Sequence, residues 1–327
     1  MKAPAFWEPG RGGAAAALLG PFGALYGAGT ALRLARGKRA RIEGLAVICV
    51  GGVIAGGSGK TPTARAIAAL PGVAARAPHF LTRGHGGAER GPHRVDLDRD
   101  DAARIGDEAP LLARDAPCWV SRDRLAGARA AWADGAGLVV MDDGLQNPAL
   151  RMDIAICVVD GGFGFGNGRR IPAGPMRESL RAALKRVDLI VRIGADHVGA
   201  ERAIRAAAAP PPIFRARIRP EPPEEAYDRP LFAFAGVGRP DKVFDSWRAA
   251  ELALAGTRAF ADHHPFTPED LGALEAEAKR CGATLATTEK DAQRLPADFP
   301  ALAIPARLVW EDEAGIDAAI ALRMPAA

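Results

Sequence analysis

Residues 45–61 read LAVICVGGVIAGGSGKT, and this stretch decides the fold. Leu45 to Val50 is a continuous apolar run of strand length, glycines follow, and a helix is expected to begin after Lys60-Thr61. A strand, a glycine-rich turn and a helix make a phosphate loop. Its backbone N–H groups close around phosphate oxygens, Lys60 brings a cation to the β- and γ-phosphates, and the Thr61 hydroxyl can ligand Mg²⁺. The expected nucleotide-binding set is therefore Ala55, Gly56, Gly57, Ser58, Gly59, Lys60 and Thr61. Ile54 stands where the usual pattern has its first glycine.

Further short apolar runs flank this one: His79 to Thr82, Cys118 to Ser121, Leu138 to Met141, Ile154 to Val159 and Leu189 to Ile193. Continuous rather than alternating hydrophobicity predicts a parallel sheet covered on both faces. Crossover helices fit at Thr63 to Leu70 and Asp123 to Ala133, so the pattern is a doubly wound α/β fold. Leu138-Val-Val-Met141 runs into Asp142-Asp143, which puts carboxylates at the carboxyl end of a parallel strand, where open α/β sheets bind ligands. With the phosphate loop, these acids read as holding Mg²⁺ directly or through water.

The second half is set off by Pro210-Pro211-Pro212 and by the Pro/Glu-rich 220–225 segment. Between them Phe214, Ala216 and Ile218 alternate with Arg215, Arg217 and Arg219, which suggests an exposed connecting strand. A second, smaller α/β unit follows, with strands expected at Leu231 to Ala235, Thr284 to Thr287 and Leu302 to Ile304. Thr267, Pro268 and Asp270 mark the start of one of its helices. The expected division is 1–41, an N-terminal helical segment; 42–212, the phosphate-loop domain; 213–225, a connector; and 226–327, the smaller domain.

Composition adds boundaries. Apolar content is 48%, charged content 25% and formal net charge +4, ordinary values for a soluble globular chain. Without a basic stripe interleaved with aromatics, nucleic acid is not an expected partner. Cys49, Cys118, Cys157 and Cys281 are widely spaced, outside any zinc-ligand pattern, and read as free buried thiols of a reducing compartment. From Gly12 to Leu32 no residue is charged, and Arg33, Arg36, Lys38, Arg39 and Arg41 follow. Six glycines and Pro21 make this a poor membrane span. A helix from about Pro21, with Phe22, Leu25, Tyr26 and Leu32 on one side, can lie in an anionic membrane interface or pack on the protein's own core.

The ordered motifs VGGVIAGGSGKTP (50–62), LTRGHGG (81–87), IGDEAPLLAR (105–114), DDGLQN (142–147), IPAGPMRESL (171–180), FAGVGRP (234–240), FADHHPF (260–266) and TTEKDAQRL (287–295) resemble the tetraacyldisaccharide 4′-kinase family. The resemblance implies ATP- and Mg²⁺-dependent phosphorylation of the 4′-hydroxyl of an acylated glucosamine disaccharide 1-phosphate, giving lipid IVA. It also implies a β-ribbon connector, a membrane-associated N-terminal helix and a place at the cytoplasmic face of the bacterial inner membrane, with no obligate protein partner. It accounts for Ile54, since the family's loop lacks the leading glycine. By the same resemblance Asp107 and His263 are the catalytic dyad, with His264 left as the alternative partner. Thr61, Asp142, Asp143 and Glu178 are metal-associated, Gln146 lies beside metal and nucleotide, and Arg124 and Arg177 meet phosphate charge. His85, Asn147 and Ala109 depart from the family pattern, and Lys290 reads as structure of the second domain. A phosphate-loop ATPase switch without sugar phosphotransfer is the competing reading; a switch has no need of the GDE and DHH segments.

Overall fold

The computed structural model of the protein describes residues 4–325, so 1–3 and 326–327 of the expected terminal ranges lie outside it. Eight strands of the first two-thirds of the chain are β1 (Ala46–Gly51), β2 (Pro78–Thr82), β3 (His93–Arg94), β4 (Cys118–Val120), β5 (Leu138–Asp142), β6 (Ile154–Asp160), β7 (Leu189–Ile193) and β8 (Ile213–Pro220). The smaller sheet holds β9 (Leu231–Ala235), β10 (Leu254–Ala259), β11 (Thr284–Thr288) and β12 (Ala301–Ile304), and β13 (Ala306–Trp310) follows. The large sheet runs β13-β8-β7-β6-β1-β5-β2-β4-β3 and the small one β10-β9-β11-β12. Antiparallel pairing is confined to the two edges of the large sheet, β3 with β4 and β13 with β8.

The apolar runs form strands because both of their faces are covered. Ile48, Val50, Val140, Ile156 and Val191 face one core layer, and Val47, Cys49, Val139, Met141 and Val159 face the other. β1 lies between β5 and β6, with Val50 beside Asp142 and Gly51 beside Cys157. The chain therefore leaves the carboxyl end of β1 at a switch point of the sheet, where a crevice must open. One face of the small sheet packs a phenylalanine cluster, with Phe234 meeting Phe260 and Phe266 edge-on.

Two expectations need correction. The range 226–327 is divided, because β13 leaves the small sheet and pairs antiparallel with β8 in the large one, Leu308 opposite Ile218. The helix Glu313–Ala321 then buries Ile316 and Ile320 in the large core and packs on the short helix Pro71–Ala74. The connector is thus two-stranded. Its outgoing half was legible in the alternation of 213–219, whereas its return half, Ala-Arg-Leu-Val-Trp, carries no such rhythm. Secondly, Cys49, Cys118 and Cys157 are buried but Cys281 is exposed, as the residue that closes a surface helix.

The N-terminal helix Gly20–Arg36 rests on the large domain through Gly23, Gly27, Thr30 and Leu34. A Cβ on Gly23 would come within 2.9 Å of the Arg170 carbonyl oxygen, so close approach to that backbone favours glycine there. Leu18, Phe22, Leu25 and Leu32 point outward and are at least half exposed. No helix among the described residues is long and apolar enough to cross a membrane.

If the final helix is part of the large domain's core, Ile316→Ala lowers unfolding free energy by about 3 kcal/mol. Urea unfolding followed by the signal of the large domain measures this, and an unmoved midpoint would contradict it.

Candidate active site

The phosphate loop turns on two glycines with positive φ, Gly56 at 98° and Gly59 at 82°. Gly59 is also hemmed in, since a Cβ there would sit 2.5 Å from the Ile193 Cδ1. Ile54 is buried and forms an isolated bridge with Met176, which gives the missing leading glycine a packing role. Lys60 Nζ donates to the Gly56 carbonyl at 3.2 Å and stands 3.7 Å from Asp143. The loop opens on a cleft of about 890 Å³ between the two sheets, lined also by Arg83, His85, Arg124, Asp142, Asp143, Gln146 and His263.

At the carboxyl end of β5, Thr61 Oγ1 donates to Asp142 Oδ2 at 2.7 Å, and Asp142 Oδ1 is buried with no partner. Burial, reinforced by the charge of Glu108, pushes the Asp142 carboxyl up to about 7. Asp143 is half-buried, and desolvation would raise its carboxyl, but Lys60 and Arg177 outweigh that and hold it at about 2. Arg177 grips Asp143 with two hydrogen bonds, 2.6 and 2.8 Å, and donates to Gln146 Oε1 at 3.2 Å. Gln146 Nε2 in turn donates to the Gly52 carbonyl at 3.1 Å and to Glu178 Oε1 at 2.9 Å.

A divalent cation fits here. Thr61 and Asp142 present hard oxygens beside the Lys60 ammonium, and the orphaned Asp142 oxygen lacks only a positive partner. Glu178 stands one step away, committed to Gln146 and Arg186 rather than to Asp142 or Asp143. Arg124 is buried on the cleft wall and donates to the Ser121 carbonyl, with no carboxylate partner among the described residues.

The second cluster crosses between domains. Asp107 follows Gly106, whose φ of 82° lets the chain turn tightly against the His85 backbone. His263 has a φ of 57°, a strained value for a non-glycine residue, and it projects into the cleft. His263 Nδ1 lies 2.9 Å from Asp107 Oδ2. His264 instead meets Asp270 at 2.8 Å, within the cap of the helix Pro268–Arg280. The geometry therefore brings His263, not His264, to Asp107. Burial would raise the Asp107 carboxyl, but His263, Lys290 and Arg294 together hold it below its ordinary range.

Sequence reading missed a further contact. Arg239 donates to the Gly57 carbonyl at 2.7 Å, lies 3.2 Å from Asp160 and covers the Phe163 ring at 4.7 Å, while Lys242 also reaches Asp160. Asp160 ends β6 as Asp142 ends β5, so the strand-end rule that found one acid could have found the other. Arg239 itself carried no signal, being one of many arginines.

The family model for tetraacyldisaccharide-1-P 4′-kinase matches residues 15–324. The chain belongs to this family. A tetraacyldisaccharide 4′-kinase of Methylobacterium sp. (strain 4-46) is 50% identical over 311 residues, 94% of this chain and 93% of the relative. That of Methylobacterium nodulans is 48% identical over 315 residues, covering 95% and 93%. Among solved structures, LpxK from Aquifex aeolicus in complex with ATP superposes with a TM-score of 0.73, at 23% identity and covering 94% of this chain and 99% of that one. This likeness shows that the tetraacyldisaccharide 4′-kinase fold is shared.

The depressed Asp107 carboxyl fixes the sign of one pH effect. Its hydrogen bond to His263 contributes fully above the ordinary carboxylate value of about 3.9 and is lost as pH falls through the lower folded value. Asp107→Asn is expected to cost about 1.5 kcal/mol at pH 7, and less as pH drops below about 4. Urea titrations of both chains across that range test it; a difference that stays constant would be inconsistent.

Proposed function

We propose that this protein transfers the γ-phosphoryl group of ATP to the 4′-hydroxyl of a tetraacylated disaccharide 1-phosphate, in lipid A biosynthesis. The observation that carries this reading is the 2.9 Å contact between His263 and Asp107, which faces the phosphate loop across one cleft. A nucleotide switch needs only the loop and its acids; an alcohol acceptor needs a base as well.

Lys60 and the loop amides hold the β- and γ-phosphates, with Arg177 and Arg124 as nearby cations. Thr61, Asp142 and Asp143 would hold Mg²⁺, with Glu178 behind them through Gln146; the ion offsets phosphate charge. His263, the dyad member that lines the cleft, takes the hydroxyl proton on Nε2 as the new oxygen–phosphorus bond forms and the bond to ADP breaks. Asp107 accepts from Nδ1 and stabilises the imidazolium so formed. The small domain joins the large one through the ends of β8 and β13, and its closing on the large domain expels water that would otherwise take the phosphoryl group.

The exposed face of the N-terminal helix supports membrane association. Phe22, Leu25 and Leu32 form one stripe at helical spacing, Leu18 is exposed on the short helix Gly13–Leu18 before it, and Arg33 and Arg36 lie in the last turn. Such a helix lies in a bilayer interface at the cytoplasmic face of the inner membrane, bringing the cleft to an acceptor whose acyl chains stay in lipid.

Incubation with ATP, Mg²⁺ and detergent-solubilised tetraacyldisaccharide 1-phosphate should yield the 4′-phosphorylated lipid. Chelation by EDTA should stop product formation, and Lys60→Ala should lower turnover by at least about a hundredfold. Vigorous ATP hydrolysis that ignores the lipid, with no 4′-phosphate formed, would sink the kinase reading.

A further inference from the structure

We infer that Lys290 is a positioning residue for phosphoryl transfer, one that fixes which nitrogen of the His263 ring carries the proton. Lys290 reads from the sequence as structure of the second domain, yet the turn after β11 delivers its ammonium to the dyad. Thr288 caps the turn by accepting from the Asp291 N–H, so the Lys290 backbone is anchored immediately after β11. Its Nζ lies 3.2 Å from Glu108 Oε1, 3.4 Å from His263 Nε2, and 4.0 Å from both Asp107 Oδ2 and Asp262 Oδ1.

An ammonium has donors and no acceptor, so the Nε2 that faces it must present a lone pair. The ring proton then belongs on Nδ1, where it is donated to Asp107 Oδ2 at 2.9 Å. The nearest contact at each end of the ring agrees on one tautomer, the one a base needs before the acceptor arrives; Asp262 Oδ1, 3.7 Å from Nε2, stands beyond hydrogen-bond reach of it. Burial works against the charge on Lys290, but Glu108, Asp107 and Asp262 outweigh it and strengthen its hold on the proton. The other charged or titratable groups at this spot are Arg294, 3.2 Å from Asp107, and His85, whose ring is 5.0 Å from that of His263.

Asp107, Glu108 and His263 also bring ligand atoms within 4.8 Å of one another, as a metal site would. Lys290 already stands against two of the three, so a second cation there would meet direct repulsion. Lys290 thus takes the cation's place and keeps the imidazole from binding a proton early. Resting on the kinase reading above, the 4′-hydroxyl replaces Lys290 at Nε2 when it binds, while Glu108 retains the ammonium beside it.

The test compares pH profiles of kcat/KM for the native chain, Lys290→Met and Lys290→Arg in the lipid-kinase assay. Lys290→Met should lower kcat about tenfold with KM for ATP unchanged. Its acidic limb should move up by about one pH unit, because the imidazole no longer meets a like charge. Lys290→Arg, which keeps the charge, should restore the native position of the limb. Independently of turnover, ¹⁵N NMR of the imidazole, assigned with His263→Gln, should show Nε2 unprotonated in the native chain and mixed tautomers in Lys290→Met. A limb and a tautomer both unmoved in Lys290→Met would overturn the inference, even if activity falls through lost packing. Failure of the unmodified chain to phosphorylate the lipid would count against the kinase reading instead, and the NMR comparison would still decide the role of Lys290.

Discussion

The hydrogen bond from His263 to Asp107 joins a residue of one domain to a residue of the other, and the rest of the site has meaning only when it is made. The large domain supplies the phosphate loop and its acids; the small domain supplies the imidazole. Most of what surrounds that bond is ionic. Asp160 meets Arg239, Glu289 meets Arg65 at 3.0 Å and Arg114 at 2.7 Å, and Glu108 meets Lys290. Partly exposed pairs of this kind contribute about 0–1 kcal/mol each, against several for a buried apolar contact. An interface built from them closes with defined register yet opens without breaking a core.

The strained backbone follows the same logic. His263 and Asp143 both adopt positive φ, Asp143 directly after the end of β5 and His263 in the turn that follows β10. Asp143 is held by two hydrogen bonds from Arg177, His263 by Asp107 on one side and Lys290 on the other. The contacts that offset the strain are the ones that arrange the chemistry.

Most of the large sheet was legible, because buried parallel strands must be apolar throughout and only one reading suits six such runs with helices between. Thr61, Asp142 and Asp143 were legible for a related reason: loop and acids occupy the carboxyl ends of adjacent strands, a place that topology dictates. What sequence left obscure depends on partners distant in the chain. His263 and His264 are indistinguishable until Asp270 is seen to claim the second through the helix cap. Lys290 gained significance only when a loop 182 positions earlier was brought within 3.2 Å of it. β13 escaped because five residues without alternation do not announce an edge strand; only the unpaired edge of β8 creates the demand for it.

The N-terminal helix shows how small residues can decide what large ones do. An amphipathic helix on a globular protein ordinarily turns its bulky side chains inward. Here Gly23 and Gly27 take the inward positions, and a Cβ on Gly23 would press within 2.9 Å of the Arg170 carbonyl oxygen. With small residues at the contact, Phe22, Leu25 and Leu32 are left on the outside together. Thr30 and Arg33 meanwhile line the cleft that holds the phosphate loop. One helix therefore borders the reaction site on one side and offers an apolar stripe on the other, an arrangement that suits an acceptor with a polar sugar at the cleft and acyl chains at its rim. Replacing the inward glycines by leucine would give a more ordinary amphipathic helix, and it would lift that stripe away from the cleft it borders.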